Sequence, residues 1–201
     1  MHFCEQYINP KPRLGHPAIL LFPEFDDKTC KNHGSADFLT LRLNEFMKKH
    51  DMEPFVFQVT YKSGCLWEEQ IPHIRQQCLQ IQQVTEQNQI YFVAHSLGGI
   101  LAMIVAVFEA PLYNIDIPLV MTIATPLQDC RLLKIVQGNL LPIFPRPKHF
   151  TSIGCTENEW VSDLYCSVKV VDSRHSMLLV SEKICRAIED ELKQCLFYMD
   201  R

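Results

Sequence analysis

The sequence lacks a long uninterrupted apolar run, an excess of basic charge and any Cys-x-x-Cys pair. The apolar stretch 90–108 is interrupted by His95, Ser96 and a Gly-Gly pair, whereas a membrane-spanning helix needs about 20 mostly apolar residues. Nineteen Lys and Arg oppose 23 Asp and Glu for a net charge of −4, which leaves no case for a phosphate-binding surface. The first residues also lack a signal-peptide pattern. We therefore expect a soluble chain that does not bind nucleic acid.

The nine cysteines are odd in number and scattered, which fits neither a complete disulfide framework nor a zinc module. We expect them to be reduced and buried as small apolar residues, which is typical of a non-oxidising compartment. A bridge between Cys155 and Cys166 stays open. No metal or organic cofactor is expected.

Short apolar runs alternate with longer helical patterns, which predicts an α/β fold with about six mainly parallel strands and helices on both faces. We expect one domain over 1–201 with its core at about 17–197, and a short proline-rich cap at 126–147. The predicted strands are 18–22, 55–59, 90–93, 119–123, 149–153 and 168–171. Helices are predicted after Ser35, around 71–81, over 97–109 and over 180–195.

The third predicted strand runs into the sequence Ala94-His95-Ser96-Leu97-Gly98-Gly99. This resembles the nucleophile elbow Gly-x-Ser-x-Gly of α/β-hydrolases, with Ala94 in place of the first glycine. In such a turn the serine has a strained backbone, and its neighbours two residues away must be small. Ser96 is thus the predicted nucleophile. The alternative is a serine in an ordinary strand–helix turn.

A serine nucleophile needs a base and an acid, and in this fold they follow it in the order acid, then histidine. His175 lies between the last predicted strand and the terminal helix, so it is the predicted base. His95 is expected to be a packing residue. Glu157 and Glu159 lie in the loop where the acid belongs, although each could equally be a solvated carboxylate.

The remaining requirement is an oxyanion hole, a pair of N–H donors for the charge that develops on the substrate oxygen. One predicted donor is the backbone N–H of Leu97, directly after the nucleophile. The other is the N–H of Phe25, in the loop that follows the first strand.

Over most of its length, from about Pro17 to Cys195, the chain resembles the catalytic domain of GPI inositol-deacylases, lipase-like serine hydrolases of the endoplasmic reticulum. The resemblance rests on six segments, residues 20–23, 57–61, 94–100, 122–126, 152–154 and 178–180, and on His175. It implies Ser96 as nucleophile, His175 as base and the inositol acyl ester of a GPI lipid as substrate. At the position where the family has an aspartate beyond its Gly-Gly motif's strand, this chain has Asn158. The chain also differs from the family's sequence pattern at Glu24, at residues 127–128 and at Arg174.

These observations predict a serine esterase or lipase that acts on an acyl ester or lipid-like substrate, with an apolar mouth suited to contact with a membrane surface. Because an amide at Asn158 cannot stabilise imidazolium by charge, the alternative is a weakened or inactive hydrolase fold kept for binding. A thioesterase or protein-deacylating enzyme is the third hypothesis. The resemblance implies the endoplasmic reticulum, whereas the N-terminus and the cysteines do not, so the location stays open.

Overall fold

The computed structural model describes residues 17–24, 34–125, 149–155, 167–171 and 179–197. Within them, six strands form one parallel sheet in the order β2-β1-β3-β4-β5-β6. The strands are β1 Ala18–Phe22, β2 Val56–Gln58, β3 Ile90–His95, β4 Leu119–Ile123, β5 His149–Cys155 and β6 Ser167–Val171. The predicted six-stranded parallel sheet is confirmed.

The second strand is shorter than predicted, but its ends still pair with β1. The Ile19 N–H donates to the Phe55 carbonyl at 2.8 Å, and the Val59 N–H donates to the Leu21 carbonyl at 2.7 Å. Pairing with β1 therefore spans the whole predicted segment 55–59.

The four α-helices are α1 Gly34–Lys49, α2 Trp67–Thr85, α3 Leu97–Ile104 and α4 Glu182–Phe197. The helix predicted over 97–109 is confirmed in its bounds, although α3 passes into a π-helical turn at Val105–Glu109. There the Ala110 N–H donates five residues back, to the Val105 carbonyl at 2.8 Å. Pro111 then opens a short 3₁₀ turn, since proline has no N–H with which to continue the helix.

Side chains of the buried strands alternate between two apolar layers, as the two-residue period of a strand requires. Phe92 packs on the α2–α3 side with Ile74 and Leu101. Val93, its neighbour in β3, packs on the α1–α4 side with Leu43 and Ile188. The prediction that helices cover both faces of the sheet is confirmed.

Two glutamines of α2 lie in the interior of the protein. Gln70 and Gln77 are fully buried beside the apolar side chains of the helix. Both make hydrogen bonds to the backbone that leads into the helix, which is why burial of their amides is tolerated.

The strand order places a crevice at the carboxyl ends of β1 and β3. From β1 the chain moves to β2 on one side, and then returns to β3 on the other side of β1. In open α/β sheets ligands bind at this reversal, outside the carboxyl ends of the strands. Pro23 follows β1 and Ser96 follows β3, so both lie at this crevice.

Cys78, Cys185 and Cys195 are free thiols and buried, which confirms the expectation for those three cysteines, whereas the free thiol of Cys65 is only partly buried. Burial raises the pKa of Cys78 to about 12, so that thiol stays protonated and packs as an apolar group. In the part of the chain that is described, no helix is long and apolar enough to cross a membrane. The predicted cap at 126–147 lies outside the described residues.

Candidate active site

Ser96 occupies a strained turn between β3 and α3. Its backbone lies at φ 52° and ψ −132°, a conformation that L-residues rarely adopt and that costs about 1–3 kcal/mol. The Ser96 N–H donates to the Ile123 carbonyl at 2.9 Å, and the Ser96 carbonyl accepts from the Gly99 N–H at 3.0 Å. The turn is thus fixed by β4 on one side and by the first turn of α3 on the other. This is the backbone geometry predicted for a nucleophile elbow.

Two glycines in α3 allow the elbow to pack. A Cβ at Gly98 would overlap the Pro23 carbonyl oxygen and lie 2.9 Å from both the Phe22 carbonyl oxygen and the Tyr61 hydroxyl. A Cβ at Gly99 would overlap the hydroxyl of Thr125. The sequence predicted the requirement at Gly98 but not the one at Gly99.

Tyr61 makes a hydrogen bond to the backbone directly after β1. Its hydroxyl donates to the Pro23 carbonyl at 2.8 Å, and the side chain is only 7% exposed. Burial raises the pKa of Tyr61 far above its ordinary value, so the phenol is protonated at neutral pH and can donate. The Pro23 carbonyl therefore lies between the phenol and the elbow, in contact with both.

The backbone on each side of Tyr61 is held by a glutamine of α2. The Gln77 side chain accepts from the Thr60 N–H and donates to the Thr60 carbonyl, both at 2.9 Å. The Gln70 side chain accepts from the Lys62 N–H and donates to the Lys62 carbonyl, both at 2.8 Å. Each amide thus replaces the pairing that a neighbouring strand would supply. Together they fix the peptide groups that bracket Tyr61.

The predicted oxyanion donor of Leu97 is the first N–H of α3. The first N–H groups of a helix have no acceptor within the helix, and the helix dipole favours negative charge at this end. The Leu97 side chain is 44% exposed beside Ser96, which is 9% exposed. An exposed apolar side chain therefore lies next to the predicted nucleophile.

His95 lies on the other face of the sheet from α3. It lines a small cavity with Pro23, Leu39 and Leu179, and it is 8% exposed. Leu39 and Leu179 belong to the α1–α4 apolar layer. This buried position beside the α1–α4 layer fits the expectation that His95 is a packing residue.

Of the predicted site residues, Ser96 and Leu97 are described and lie together at the start of α3. His175, Glu157, Glu159, Asn158 and Phe25 lie outside the described residues, so their roles remain predictions. The described ranges contain no group of three or more His, Cys, Asp or Glu side chains arranged to hold a metal ion.

Sequence reasoning missed Gly99, Tyr61, Gln70 and Gln77. A signal existed for Gly99, because a second glycine in the first turn of a helix is unfavourable unless a close approach requires it. For Tyr61 and the two glutamines there was no local signal, because their burial depends on hydrogen bonds to backbone elsewhere in the chain.

No protein-family model and no curated protein sequence matches the chain, whereas solved structures do. Mature lipase BlEst2 from Bacillus licheniformis has a TM-score of 0.60 at 10% identity, covering 92% of this chain and 94% of its own. XC6422 from Xanthomonas campestris, described as an α/β serine hydrolase without a lid, has a TM-score of 0.59 at 10% identity, covering 92% and 84%. Esterase Pf2001 from Pyrococcus furiosus has a TM-score of 0.57 at 11% identity, covering 90% and 81%.

At such low identities the similarity establishes the architecture. The chain has the α/β-hydrolase fold, as predicted. Within this fold, Ser96 lies at the turn between the central parallel strand β3 and the helix that follows it.

Proposed function

We propose that the chain is a serine hydrolase that cleaves carboxylic esters of lipid-like substrates, with Ser96 as nucleophile and His175 as general base. The observation that carries the proposal is the backbone of Ser96, at φ 52° and ψ −132° between β3 and α3. A residue with a side chain is kept in so unfavourable a conformation only where the surroundings enforce it, and such positions concentrate at active sites.

The position of Leu179 supports the role of His175. Leu179 is buried and lines the same small cavity as Ala94 and His95, directly before the nucleophile. His175 precedes Leu179 by four residues, a separation that extended chain spans with about 14 Å at most. The seven residues 172–178 also begin at the carboxyl end of β6. Both boundaries of the segment that contains His175 thus lie at the edge of the sheet that carries Ser96.

In the proposed reaction, His175 takes the proton of Ser96 Oγ as that oxygen attacks the ester carbonyl. The N–H groups of Leu97 and Phe25 stabilise the resulting oxyanion. The tetrahedral intermediate expels the alcohol, which leaves with the proton held by His175. Water then adds to the acyl-enzyme with His175 as base, and the carboxylic acid is released as Ser96 regains its proton.

The acid that orients His175 is proposed to be Glu157 or Glu159, because the position of the family's aspartate is Asn158. An amide at that position accepts a hydrogen bond from imidazole but supplies no charge, and loss of the charge costs about 10⁴ in turnover in a serine protease. A neighbouring glutamate in the same loop would restore it.

Exposed apolar side chains support a lipid-like substrate. Leu97 begins α3 and is 44% exposed, and Leu66, directly before α2, is 67% exposed. Both positions lie at helix starts that follow strands, hence at the edge of the sheet where Ser96 lies. They suit an acyl chain presented at a membrane surface. The inositol acyl ester of a GPI lipid is the finer proposal, and it rests on the family resemblance.

The test is hydrolysis of p-nitrophenyl butyrate by the purified protein. Ser96→Ala is expected to lower kcat/KM at least about 100-fold, whereas Ser63→Ala, which changes an exposed serine, leaves it unchanged. Ester cleavage that survives Ser96→Ala would overturn the proposal. The corresponding thioester, assayed in parallel, separates an esterase from a thioesterase.

A second candidate function is favoured by Asn158 alone. If neither glutamate reaches His175, the chain is a binding protein on a hydrolase fold. That alternative predicts that Asn158→Asp creates or raises ester hydrolysis by an order of magnitude or more. The esterase proposal with a glutamate acid instead predicts that Glu157→Gln or Glu159→Gln lowers hydrolysis and that Asn158→Asp changes it little.

A further inference from the structure

The turn that follows β4 contains a strained residue of its own. Ala124 lies at φ 47°, in the left-handed region that residues with a side chain rarely adopt. Its N–H donates to the Ile153 carbonyl of β5 at 2.8 Å. Like Ser96, Ala124 directly follows a central strand of the parallel sheet. Strain of this kind persists only where the surroundings enforce it, and the reaction proposed above gives this turn no role.

Thr125, the next residue, packs against the elbow. A Cβ added to Gly99 would overlap the Thr125 hydroxyl oxygen and would lie 2.8 Å from the Thr125 methyl carbon. Thr125 is 1% exposed, and its hydroxyl has no hydrogen-bond partner among the described residues. Because the hydroxyl makes no hydrogen bond there, the side chain acts on Gly99 by its shape.

Both polar backbone groups of Ser96 are connected to this turn. The Ser96 N–H donates to the Ile123 carbonyl at 2.9 Å, and the Ser96 carbonyl accepts from the Gly99 N–H at 3.0 Å. Ile123 is the last residue of β4, and Thr125, two residues further on, packs on Gly99. The end of β4 therefore holds the strained backbone of Ser96 twice, once directly and once through Gly99.

We infer that Thr125 is a positioning residue for Ser96, the proposed nucleophile. The inference rests on the proposed function and extends it, because it gives the end of β4 a task in catalysis. By filling the space that Gly99 leaves free, the Thr125 side chain keeps the Gly99 N–H on the Ser96 carbonyl. Such a contact matters for the rate, since a displacement of about 1 Å at a catalytic group can cost about 100-fold.

Thr125→Ala tests this inference, because it removes the two atoms that lie closest to the missing Cβ of Gly99. Thr125→Val is the conservative variant: it keeps the shape and replaces only the unpaired hydroxyl, so it should be at least as stable as the wild type. Thr85→Ala is the matched control, because Thr85 is also fully buried but lies at the far end of α2. It loses a hydrogen bond to the Ile81 carbonyl, so its melting temperature should fall at least as far.

For p-nitrophenyl butyrate, Thr125→Ala is expected to lower kcat by about 10-fold, because the loosened contact displaces Ser96 by less than about 1 Å. KM should change less than about threefold, since the position of Ser96 matters mainly in the transition state. Binding of phenylboronic acid, which forms a tetrahedral adduct on a reactive serine, should weaken in parallel. Thr125→Val and Thr85→Ala should keep kcat and boronate affinity within about twofold of the wild type.

A double-mutant cycle tests the contact itself. Gly99→Ala alone should lower kcat about 100-fold, because its Cβ overlaps the Thr125 side chain. In the Thr125→Ala background the same change should cost about 10-fold or less, since the two closest atoms are gone. Equal costs in the two backgrounds would show that the two residues act independently, which contradicts the inference.

A kcat for Thr125→Ala within about twofold of the wild type would overturn the inference, as would an equal fall in Thr85→Ala or Thr125→Val. Should Thr125→Ala not fold, Thr125→Ser, which loses only the methyl group, is assayed by the same criteria. Ser96→Ala in the same assay distinguishes the two failures. If it retains wild-type hydrolysis, the proposed function is wrong and the inference with it. If it is inactive while Thr125→Ala is unimpaired, only the inference is wrong.

Discussion

The Cα of Gly98 lies so close to the Pro23 carbonyl oxygen that an added Cβ would overlap it. This contact joins the residue after β1 to the second residue of α3, across the crevice where the strand order reverses. Ser96, the proposed nucleophile, lies two residues before Gly98. The position of Ser96 relative to β1 therefore depends on the absence of a side chain at Gly98.

Gly98→Ala is expected to push α3 away from Pro23 and to lower the free energy of unfolding by about 2 kcal/mol, as overpacking typically does. Hydrolysis should fall about 100-fold or more, because a displacement of about 1 Å at a catalytic group has that effect. Urea denaturation and ester hydrolysis measure the two losses. Ile188→Ala, a buried residue of α4, should show comparable destabilisation with kcat unchanged. Full activity in Gly98→Ala would contradict the account of the elbow.

The strain at Ser96 predicts an inverted order of stability for two substitutions. Glycine accepts φ 52° and ψ −132° without steric cost, whereas alanine does not. We therefore expect Ser96→Gly to be more stable than Ser96→Ala by about 1 kcal/mol, after the entropy cost of glycine is subtracted.

Urea denaturation of both variants checks this order. Ala102→Gly, at a fully buried position within α3, is the control. There glycine should be the less stable residue, and the free energy of unfolding should fall by about 1 kcal/mol. If Ser96→Ala proves the more stable variant, Ser96 is not strained.

The Arg42 side chain joins α1 to α4 through hydrogen bonds to Glu189 at 2.6 Å and Glu182 at 3.1 Å. Glu182 also accepts from Arg186 at 3.0 Å. The pKa of Glu182 is lowered, first by the hydrogen bond from Arg186 and then by the charge of Arg42. Because the folded protein favours the carboxylate, this stabilisation is present above the pKa of the unfolded chain and is lost as the pH falls through the lowered value.

Glu182→Gln is expected to reduce the free energy of unfolding at pH 7, with the difference from the wild type shrinking as the pH falls below about 4. Urea denaturation across pH 3–7 measures it. Glu45→Gln removes an exposed carboxylate of α1 and serves as the control. A difference for Glu182→Gln that stays constant down to pH 3 would contradict the lowered pKa.

Much of the architecture could be predicted because local patterns determine it. The apolar run at 18–22 and the stripe of Leu39, Leu43, Phe46 and Met47 indicated a strand and a helix, and all of these residues are buried. The elbow was predictable because strand, small residue, serine and glycine follow one another directly. Residues that are adjacent in the sequence remain adjacent in the folded chain, so patterns of this kind can be recognised before the structure is known.

The network at Tyr61 was not predictable, because it depends on contacts between residues far apart in the chain. Pro23 and Tyr61 are 38 positions apart, and nothing at either position indicates the other. Gln70 and Gln77 have the polarity typical of a helix surface, yet they are buried because their amides pair with the backbone of Thr60 and Lys62. Only the folded chain shows that pairing.

The account depends most on Ser96 being an activated nucleophile, and labelling with a fluorophosphonate probe tests this directly. Intact-mass analysis and peptide mapping of the folded protein should show one adduct, on Ser96. The adduct should be absent in Ser96→Ala, strongly reduced in His175→Ala and unchanged in Ser63→Ala. A folded wild-type protein that acquires no label at Ser96, under conditions that label a serine esterase completely, would contradict the account.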